Sequence, residues 1–345
     1  MSNVLLCLSH SIEEYDQLRL LSGLGHNVAS IGGYIDPRHP HDPKRPALDI
    51  DVVPEIKQAV DALGTNDNLG EAQSWLPPAV LDWADVIIYH HFLDRLFRQW
   101  GQIRQWQRAK SHRRVIWRTV GQSVENNERN AQTFHADGLE IVRYSPKERN
   151  IPGYAGENAL IRFYKDPAEW GGWTGEQEVV LNISQHDHEP HGRDVWLNWG
   201  FWEEATKGLP TAFGGPNSEL IGGLGTLSLD EMKAQLRSAR CYLYTGTQPA
   251  SYTLGLIEAM MTGIPVVSIG PAHMTVFPYG PDLFEGHEIV RATDDPNNPM
   301  WAYRNLKRLL DDIELAHMDG EDGRQRAIDL FGMDTIAAQW REFLR

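Results

Sequence analysis

Residues 240–267 read RCYLYTGTQPASYTLGLIEAMMTGIPVV, and this stretch decides the fold. Residues 241–244 form a short apolar run that predicts a strand, and residues 265–269 form another. Between them, residues 253–262 have helical spacing and end at Gly263, a residue type common just after a helix. A strand, a helix and a second strand in this order predict a βαβ unit within a parallel sheet.

Glu258 is the only charged side chain between Arg240 and Asp282, with His273 taken as neutral. It lies within the apolar helix, where a carboxylate is costly to bury unless partners satisfy it. The hydroxyls of a ligand are suitable partners, because a carboxylate accepts bidentate hydrogen bonds. The alternative is a solvated helix face, which spacing alone does not exclude.

The start of the same helix indicates an anion site. The helix begins near Ser251 and Thr253, after a Gly-Thr-Gln-Pro-Ala loop that follows the first strand. The first N–H groups of a helix and the positive end of its dipole suit a diphosphate. We therefore predict that one helix holds both the phosphates and the ribose of a nucleotide.

Strands and helices alternate along the rest of the chain in two halves. We predict an N-terminal domain over residues 1–150, completed by a C-terminal helix over 332–345, a linker over 151–178, and a second domain over 179–331. Within the second domain, residues 193–206 and 229–238 have helical spacing. The predicted class is α/β, with two Rossmann-like domains facing a cleft and ligands at the carboxyl ends of the strands.

Composition narrows the class of protein. The 345 residues are 41% hydrophobic, enough for two buried cores, and the formal net charge of −15 argues against broad binding to nucleic acid or anionic lipid. Cys7 and Cys241 lie in apolar runs, which predicts buried thiols in a reducing, cytoplasmic compartment. Neither a signal-peptide pattern nor an apolar run of roughly 18 residues is present, so we predict no membrane insertion.

The sequence EAMMTGIPVV of residues 258–267 resembles the C-terminal domain of family-four retaining glycosyltransferases. Residues 224–232, LGTLSLDEM, and the tail from residue 283 onward add to the resemblance, which covers residues 220–345 in motif and 1–150 in architecture. It implies a GT-B fold whose last helix crosses back to the N-terminal domain. It also implies sugar transfer from a nucleotide-diphosphate sugar to a hydroxyl acceptor, with retention and without a metal or other cofactor.

The resemblance also implies roles for particular residues. Glu258 matches the glutamate that binds the ribose, whereas Ala250 occupies the position of the glutamate that contacts the donor sugar. Arg193 matches a diphosphate-binding lysine, and Gln185 or His186 occupies the place of the family's arginine. The full set of predicted donor-binding residues is Gly214, Thr247, Gln248, Ser251, Tyr252, Thr253, Leu254 and Glu258.

Further candidates follow strands of the predicted N-terminal domain, where carboxyl ends of parallel strands meet at one edge. We predict catalytic roles for His10 and Arg118, together with Arg193 of the second domain. Acceptor-side candidates are His90, Gln122 and Glu125.

Two patterns allow other functions. Residues 97–118 contain seven basic and no acidic side chains, interleaved with Trp100, Trp106 and Trp117. This segment is either a nucleic-acid surface, as in a glycosyltransferase acting on modified DNA, or a solvated helix face with tryptophans packed beneath it. Ala250 in turn motivates a catalytically silent sugar-nucleotide-binding protein.

His186, His188 and His191 lie close together in sequence, and histidines so placed are candidate metal ligands. Their spacing matches no standard metal site, so we favour a phosphate-facing loop and predict no metal.

Overall fold

The computed structural model describes residues 1–7, 11–31, 48, 50–62, 75–91, 93–121, 123–186, 189–248, 250–270, 283 and 297–345. The chain forms two compact units: unit 1 contains Met1–Arg162 and Ala337–Arg345, and unit 2 contains Phe163–Ile336. The chain passes from one unit to the other at residues 162–163, within the segment predicted as a linker. Each unit has an entirely parallel sheet with helices, which confirms the predicted class.

Unit 1 is built on a parallel sheet with the strand order β2-β1-β3-β4-β5-β6. Its strands are β1 (Asn3–Cys7), β2 (Asn27–Ser30), β3 (Val86–His90), β4 (Arg114–Arg118), β5 (Glu140–Arg143) and β6 (Ala159–Leu160). Its helices include α1 (Ser11–Gly23), α2 (Pro54–Asp61), α3 (Pro78–Trp83), α4 (Asp94–Ala109) and α5 (Glu125–Ala136). Central strand residues such as Ile87 and Ile116 are fully buried, as expected for a parallel sheet covered on both faces.

Unit 2 is built on a second parallel sheet with the order β10-β9-β7-β8. Its strands are β7 (Gln177–Ile183), β8 (Thr211–Gly214), β9 (Ala239–Tyr244) and β10 (Val266–Ser268). Its helices include α6 (Pro190–Leu197), α7 (Trp199–Ala205), α8 (Leu229–Ser238), α9 (Leu254–Thr262), α10 (Pro299–Asp311) and α11 (Ile313–Phe331). The last helix, α12 (Met333–Phe343), begins in unit 2, and its residues from Ala337 onward belong to unit 1.

Among the helices that the structure describes, none is both long and apolar enough to cross a membrane.

Helices α8 and α9 confirm the sequence prediction because local signals set their ends. Ser228 and Glu231 form a capping box at the start of α8. The Thr253 side chain accepts a hydrogen bond from the Leu256 N–H and so caps α9. Gly263 ends α9 with a φ of 93°, which a residue without a Cβ adopts at little cost.

The helix predicted over residues 193–206 is instead two helices, α6 and α7. Asn198 separates them with a φ of 52° and a ψ of 48°, a left-handed conformation that interrupts a right-handed helix. Helix α5 has no counterpart in the sequence prediction. Its buried face carries Glu128 beside Ala131, so the apolar periodicity that indicates a helix is missing.

A buried charge cluster lies at the end of β5 in unit 1. The Arg143 guanidinium donates to both carboxylate oxygens of Glu128 at 2.7 Å, and both side chains are fully buried. Glu128 also accepts from the Ser123 hydroxyl and from the Ala155 N–H. Glu148 lies beside this pair, with one oxygen 3.6 Å from Arg143 Nη1. The cluster therefore ties α5 and residue 123 to the sheet.

Glu148 should make the stability of the protein depend on pH. Burial raises the pKa of this carboxyl from its usual 4.5 to about 7. Its stabilising contribution is therefore fully present below pH 4.5 and is lost as the pH rises through about 7. Relative to Glu148→Gln, which does not titrate, we expect the wild type to lose on the order of 2 kcal/mol of unfolding free energy between pH 4.5 and 8. Urea unfolding of both proteins across this range measures the difference, and parallel pH profiles would contradict the prediction.

Candidate functional site

The carboxyl edge of the unit 2 sheet brings together the loops that follow its strands. The Ser184 N–H, just after β7, donates to the Gly214 carbonyl of β8 at 3.0 Å. Gly215 has a φ of 114°, and a Cβ there would lie 2.0 Å from the Ser184 carbonyl oxygen. The residue after β8 must therefore be glycine for the two loops to approach this closely. The hydrogen bond from Ser184 places the predicted donor residue Gly214 at the same edge of the sheet.

Asn198 holds the loop that follows β9. Its side-chain amide donates to the Thr245 carbonyl at 2.8 Å and accepts from the Gln248 amide at 3.3 Å. The Gln248 N–H also donates to the Trp196 carbonyl at 2.9 Å. These contacts fix the backbone on both sides of Thr247, so the corner between α6 and α7 positions two predicted donor residues.

The start of α9 follows this loop. Gly255 lies in its first turn, and a Cβ there would be 3.7 Å from the Ile183 carbonyl, so the helix begins beside the end of β7. The first N–H groups of a helix lack partners within the helix, and they form an anion-binding end. The predicted diphosphate site thus lies at the carboxyl edge of the sheet.

Predicted residues on either side of Thr253 are mostly buried. Ser251 is fully buried, and Leu254 is 7% exposed. The Tyr252 ring packs edge-on against Phe163 and Phe331, with centroids 5.8 and 5.3 Å apart. Tyr252 and Leu254 thus contribute packing beneath the helix start, and the backbone of this segment is the part suited to a ligand.

Glu258 lies in the second turn of α9 and pairs with Lys165. The Lys165 Nζ is 2.5 Å from Glu258 Oε1, and the two side chains are 1% and 2% exposed. The alternative of a solvated helix face is therefore wrong. The carboxylate is buried with a cation, as a charge in a protein interior requires.

Sequence reasoning did not find Lys165. The residue lies in the segment predicted as a linker, where no periodicity connects it to Glu258, which is 93 positions away. Asn198 was also missed, although an Asn-Trp-Gly sequence inside a predicted helix is a signal for a break.

Arg193 and His186 lie near each other beside the start of α6. His186 is 1% exposed, and in the described structure neither ring nitrogen has a hydrogen-bond partner. Burial, followed by the positive charge of Arg193, lowers the pKa of His186 to about 4. The imidazole is therefore neutral at pH 7, whereas the neighbouring Arg193 guanidinium is permanently charged.

A cavity of about 360 Å³ opens beside Arg193 within unit 2. Aromatic, aliphatic and charged side chains line it together: Pro190, Arg193, Asp194, Trp199, Trp202, Glu203, Thr206, Phe213 and Ile221. The His186 ring packs edge-on against Trp199, one of the side chains that line this cavity, with ring centroids 4.9 Å apart.

The candidates of unit 1 occupy different environments. His90 is buried at the end of β3, paired in register with Arg118 of β4. Glu125 is exposed at the start of α5 and accepts from Arg129 at 2.8 Å. His10 and Gln122 lie outside the described residues. The catalytic role of His10 and the acceptor-side roles of His90, Gln122 and Glu125 stay predictions.

Arg118 is fully buried in unit 1. Its guanidinium donates to the Ile161 carbonyl, lies 3.5 Å from the Glu13 carboxylate, and stands 5.8 Å from the ring centre of Trp340. These contacts give Arg118 a role in packing the interior of unit 1, and its catalytic role stays a prediction.

Most basic residues of the segment 97–118 pair within unit 1. Arg104 and Arg108 both contact Asp137, at 3.0 and 2.9 Å, and Arg114 forms a two-bond pair with Glu140. The indole N–H groups of the tryptophans are likewise used: Trp100 donates to Asp137, Trp106 to the Leu81 carbonyl and Trp117 to the His91 carbonyl. These contacts favour the structural interpretation of the segment over a nucleic-acid surface.

No group of three or more His, Cys, Asp or Glu side chains among the described residues is placed to hold a metal ion. His188 lies outside those residues, so the prediction that no metal is required stays a prediction.

Replacing Asn198 tests how the loop after β9 is held. Asn198→Ala should lower the free energy of unfolding by about 1–3 kcal/mol, because it loses two side-chain hydrogen bonds and strains the left-handed backbone. Asn198→Gly loses the same hydrogen bonds, but glycine adopts the left-handed backbone conformation without strain. The free energy of unfolding should therefore fall less in this variant than in Asn198→Ala. Denaturant unfolding of both variants measures the effect, and equal losses would show that backbone strain contributes nothing there.

Comparisons with known proteins agree on the fold. No protein-family model matches the sequence, and no curated protein matches it. A glycosyltransferase from Rickettsia africae ESF-5 is similar in structure, with 12% identity, coverage of 99% of this chain and 97% of that one, and a TM-score of 0.65. Anabaena Alr3699/HepE in complex with UDP-glucose is similar at 13% identity, 100% and 99% coverage, and a TM-score of 0.65.

An alpha-glucosyltransferase in complex with UDP and a 13-mer DNA containing a HMU base is also similar, at 9% identity, 99% coverage of both chains and a TM-score of 0.56. The chain therefore has the GT-B fold, as the sequence predicts.

Proposed function

We propose that the protein is a glycosyltransferase that binds a nucleotide-diphosphate sugar in unit 2 and transfers the sugar to a hydroxyl acceptor. The observation that carries this proposal is the buried Glu258 carboxylate in the second turn of α9, one turn below a helix start at the carboxyl edge of the sheet. This arrangement suits a diphosphate at the helix start and a ribose at the carboxylate. The glycosyltransferase fold supports the proposal by analogy.

In the proposed reaction the bond between the anomeric carbon and the diphosphate oxygen breaks, and its electron pair leaves with the diphosphate. The acceptor hydroxyl oxygen forms the new bond on the same face of the sugar, which gives retention, and its proton passes to a phosphate oxygen. The first turn of α9 and Arg193 stabilise the charge that develops on the leaving group. No metal is needed in this scheme, because the helix start and the guanidinium supply the positive potential.

A thermal-shift screen with UDP, GDP, ADP and TDP sugars tests donor binding. A ligand that binds only the folded state raises the melting temperature by mass action. We expect one nucleotide to stabilise the wild type and to stabilise Glu258→Gln much less. The Gln variant is preferred to Ala because it keeps an oxygen for Lys165. No shift by any nucleotide at millimolar concentration would overturn the proposal.

The alternative of a catalytically silent binding protein rests on Ala250. Its methyl group lies where the resemblance places a sugar-binding glutamate, and it offers no hydrogen bond to a donor sugar. Incubation of the stabilising nucleotide sugar with candidate acceptors, followed by NMR of the product, separates the two functions. Release of nucleotide diphosphate with formation of a glycoside supports the enzyme, and an intact donor after long incubation supports the binding protein.

A further inference from the structure

We propose that Lys165 is a positioning residue which orients the Glu258 carboxylate for the ribose and thereby sets the preference for ribonucleotides over deoxyribonucleotides. The inference rests on the proposed function, in which Glu258 binds the ribose. It adds a second residue, from a segment remote in sequence, on which this binding depends.

The first argument is the geometry of the pair. The 2.5 Å contact joins Lys165 Nζ to one carboxylate oxygen, Oε1, in a site where the two side chains are 1% and 2% exposed. In such a site a short contact with a cation restricts the rotation of the carboxylate, because water does not compete for the charges. The plane of the carboxylate, and hence the direction in which it accepts ligand hydroxyls, follows the position of Nζ.

The second argument is that Lys165 is itself held firmly. Its backbone N–H donates to the Phe331 carbonyl at 2.9 Å, and the residue pairs with Gly332 in an isolated parallel bridge. Its ammonium lies 5.5 Å from the centre of the Trp170 ring, where a cation–π interaction restricts the long side chain. Backbone and side chain together therefore fix Nζ within unit 2.

The third argument concerns chemistry. A ribose presents two neighbouring hydroxyls, and a correctly oriented carboxylate accepts from both, whereas a 2′-deoxyribose presents only one of them. A buried acceptor left without its hydroxyl discriminates strongly between such ligands. Rotation of the carboxylate would weaken this discrimination even if the nucleotide still bound through its phosphates.

Lys233 provides a matched control for the substitution of Lys165. Its ammonium lies 5.2 Å from the same Trp170 ring, but it pairs with Glu169 rather than with Glu258. Lys233→Met therefore removes a cation from the same ring and leaves the carboxylate on α9 paired. A general loss of packing around Trp170 would affect both lysine variants.

The experiment measures the dissociation constants of UDP, GDP and ADP, each beside its 2′-deoxy form, by calorimetry. For the nucleotide that binds the wild type, we expect the ribonucleotide to bind tenfold or more tightly than the deoxy form, the size of one hydrogen bond to a charged group. In Lys165→Met this ratio should fall to about one. In Lys233→Met it should stay at the wild-type value.

Each outcome decides between the proposals. A folded Lys165→Met protein that keeps the wild-type ratio overturns the inference and leaves the donor site intact. If the preference for the ribonucleotide is lost in both lysine variants, the inference is also overturned, because a general change in packing around Trp170 would then be the cause. Failure of the wild type to bind any of the probes overturns the proposed function together with the inference. If Lys165→Met does not fold, Lys165→Arg keeps the charge but moves it, and an unchanged ratio in that variant overturns the inference.

Discussion

Glu258→Ala should lower the free energy of unfolding by about 3–5 kcal/mol, the usual effect of removing one partner from a buried ion pair. The variant leaves the Lys165 ammonium in the interior of unit 2, where its side chain is 1% exposed. The loss comes mainly from burial of the lysine charge without the Glu258 carboxylate beside it. Urea unfolding followed by circular dichroism measures the change in midpoint and slope.

Two further variants separate the charge from the packing. The double variant Lys165→Met, Glu258→Leu replaces the pair with apolar side chains of similar size, and it should be more stable than Glu258→Ala alone. Glu169→Ala breaks the ion pair between Glu169 and Lys233, in which the lysine side chain is 13% and the glutamate side chain 18% exposed. This variant should therefore lose clearly less unfolding free energy than Glu258→Ala. A Glu258→Ala protein as stable as the wild type would show that the pair does not contribute to folding.

Glu128→Ala should destabilise unit 1 by a similar amount, about 3–5 kcal/mol. Arg143 loses both of its hydrogen bonds to the Glu128 carboxylate, and its guanidinium is fully buried between the rings of Trp117 and Tyr154. The Ser123 hydroxyl loses its acceptor as well. Chemical unfolding with the tryptophan fluorescence as a probe measures the loss.

A second glutamate on helix α5, Glu125, provides the control for Glu128→Ala. Glu125 lies one turn before Glu128 and pairs with Arg129 at 2.5 Å on an exposed face, with side-chain exposures of 47% and 62%. Glu125→Ala should therefore change stability little, because exposed ion pairs are screened by water. Equal losses in Glu125→Ala and Glu128→Ala would mean that helix propensity, rather than the buried charge, accounts for the effect.

The sequence predicted the fold where local signals agree with the tertiary structure. In α9 the apolar spacing, the Thr253 cap and Gly263 all indicate the same helix, and the structure has it. Helix α5 was not predicted, because its buried face carries the Glu128 carboxylate, whose partner Arg143 lies on strand β5. The break at Asn198 was missed because a helical pattern continues on both sides of one left-handed residue.

The same division applies to the candidate site. Its backbone elements, the strand ends of β7 to β10 and the start of α9, follow from the alternation of strands and helices, since parallel strands place their carboxyl ends at one edge. The side chains that hold it do not follow from this alternation. Asn198 holds the loop after β9 by hydrogen bonds to residues 47 and 50 positions away in the sequence. No local sequence pattern predicts contacts at that separation.

By itself the sequence determined that this chain forms two α/β halves with an isolated carboxylate in an apolar helix of the second half. Only the tertiary structure decided what that carboxylate faces. Glu258 is paired with Lys165, a residue in a segment without periodicity, because a buried charge takes its partner from whichever part of the chain the fold brings near. Hydrophobic periodicity is a local property of the chain, whereas charge compensation in the interior depends on distances in the folded state.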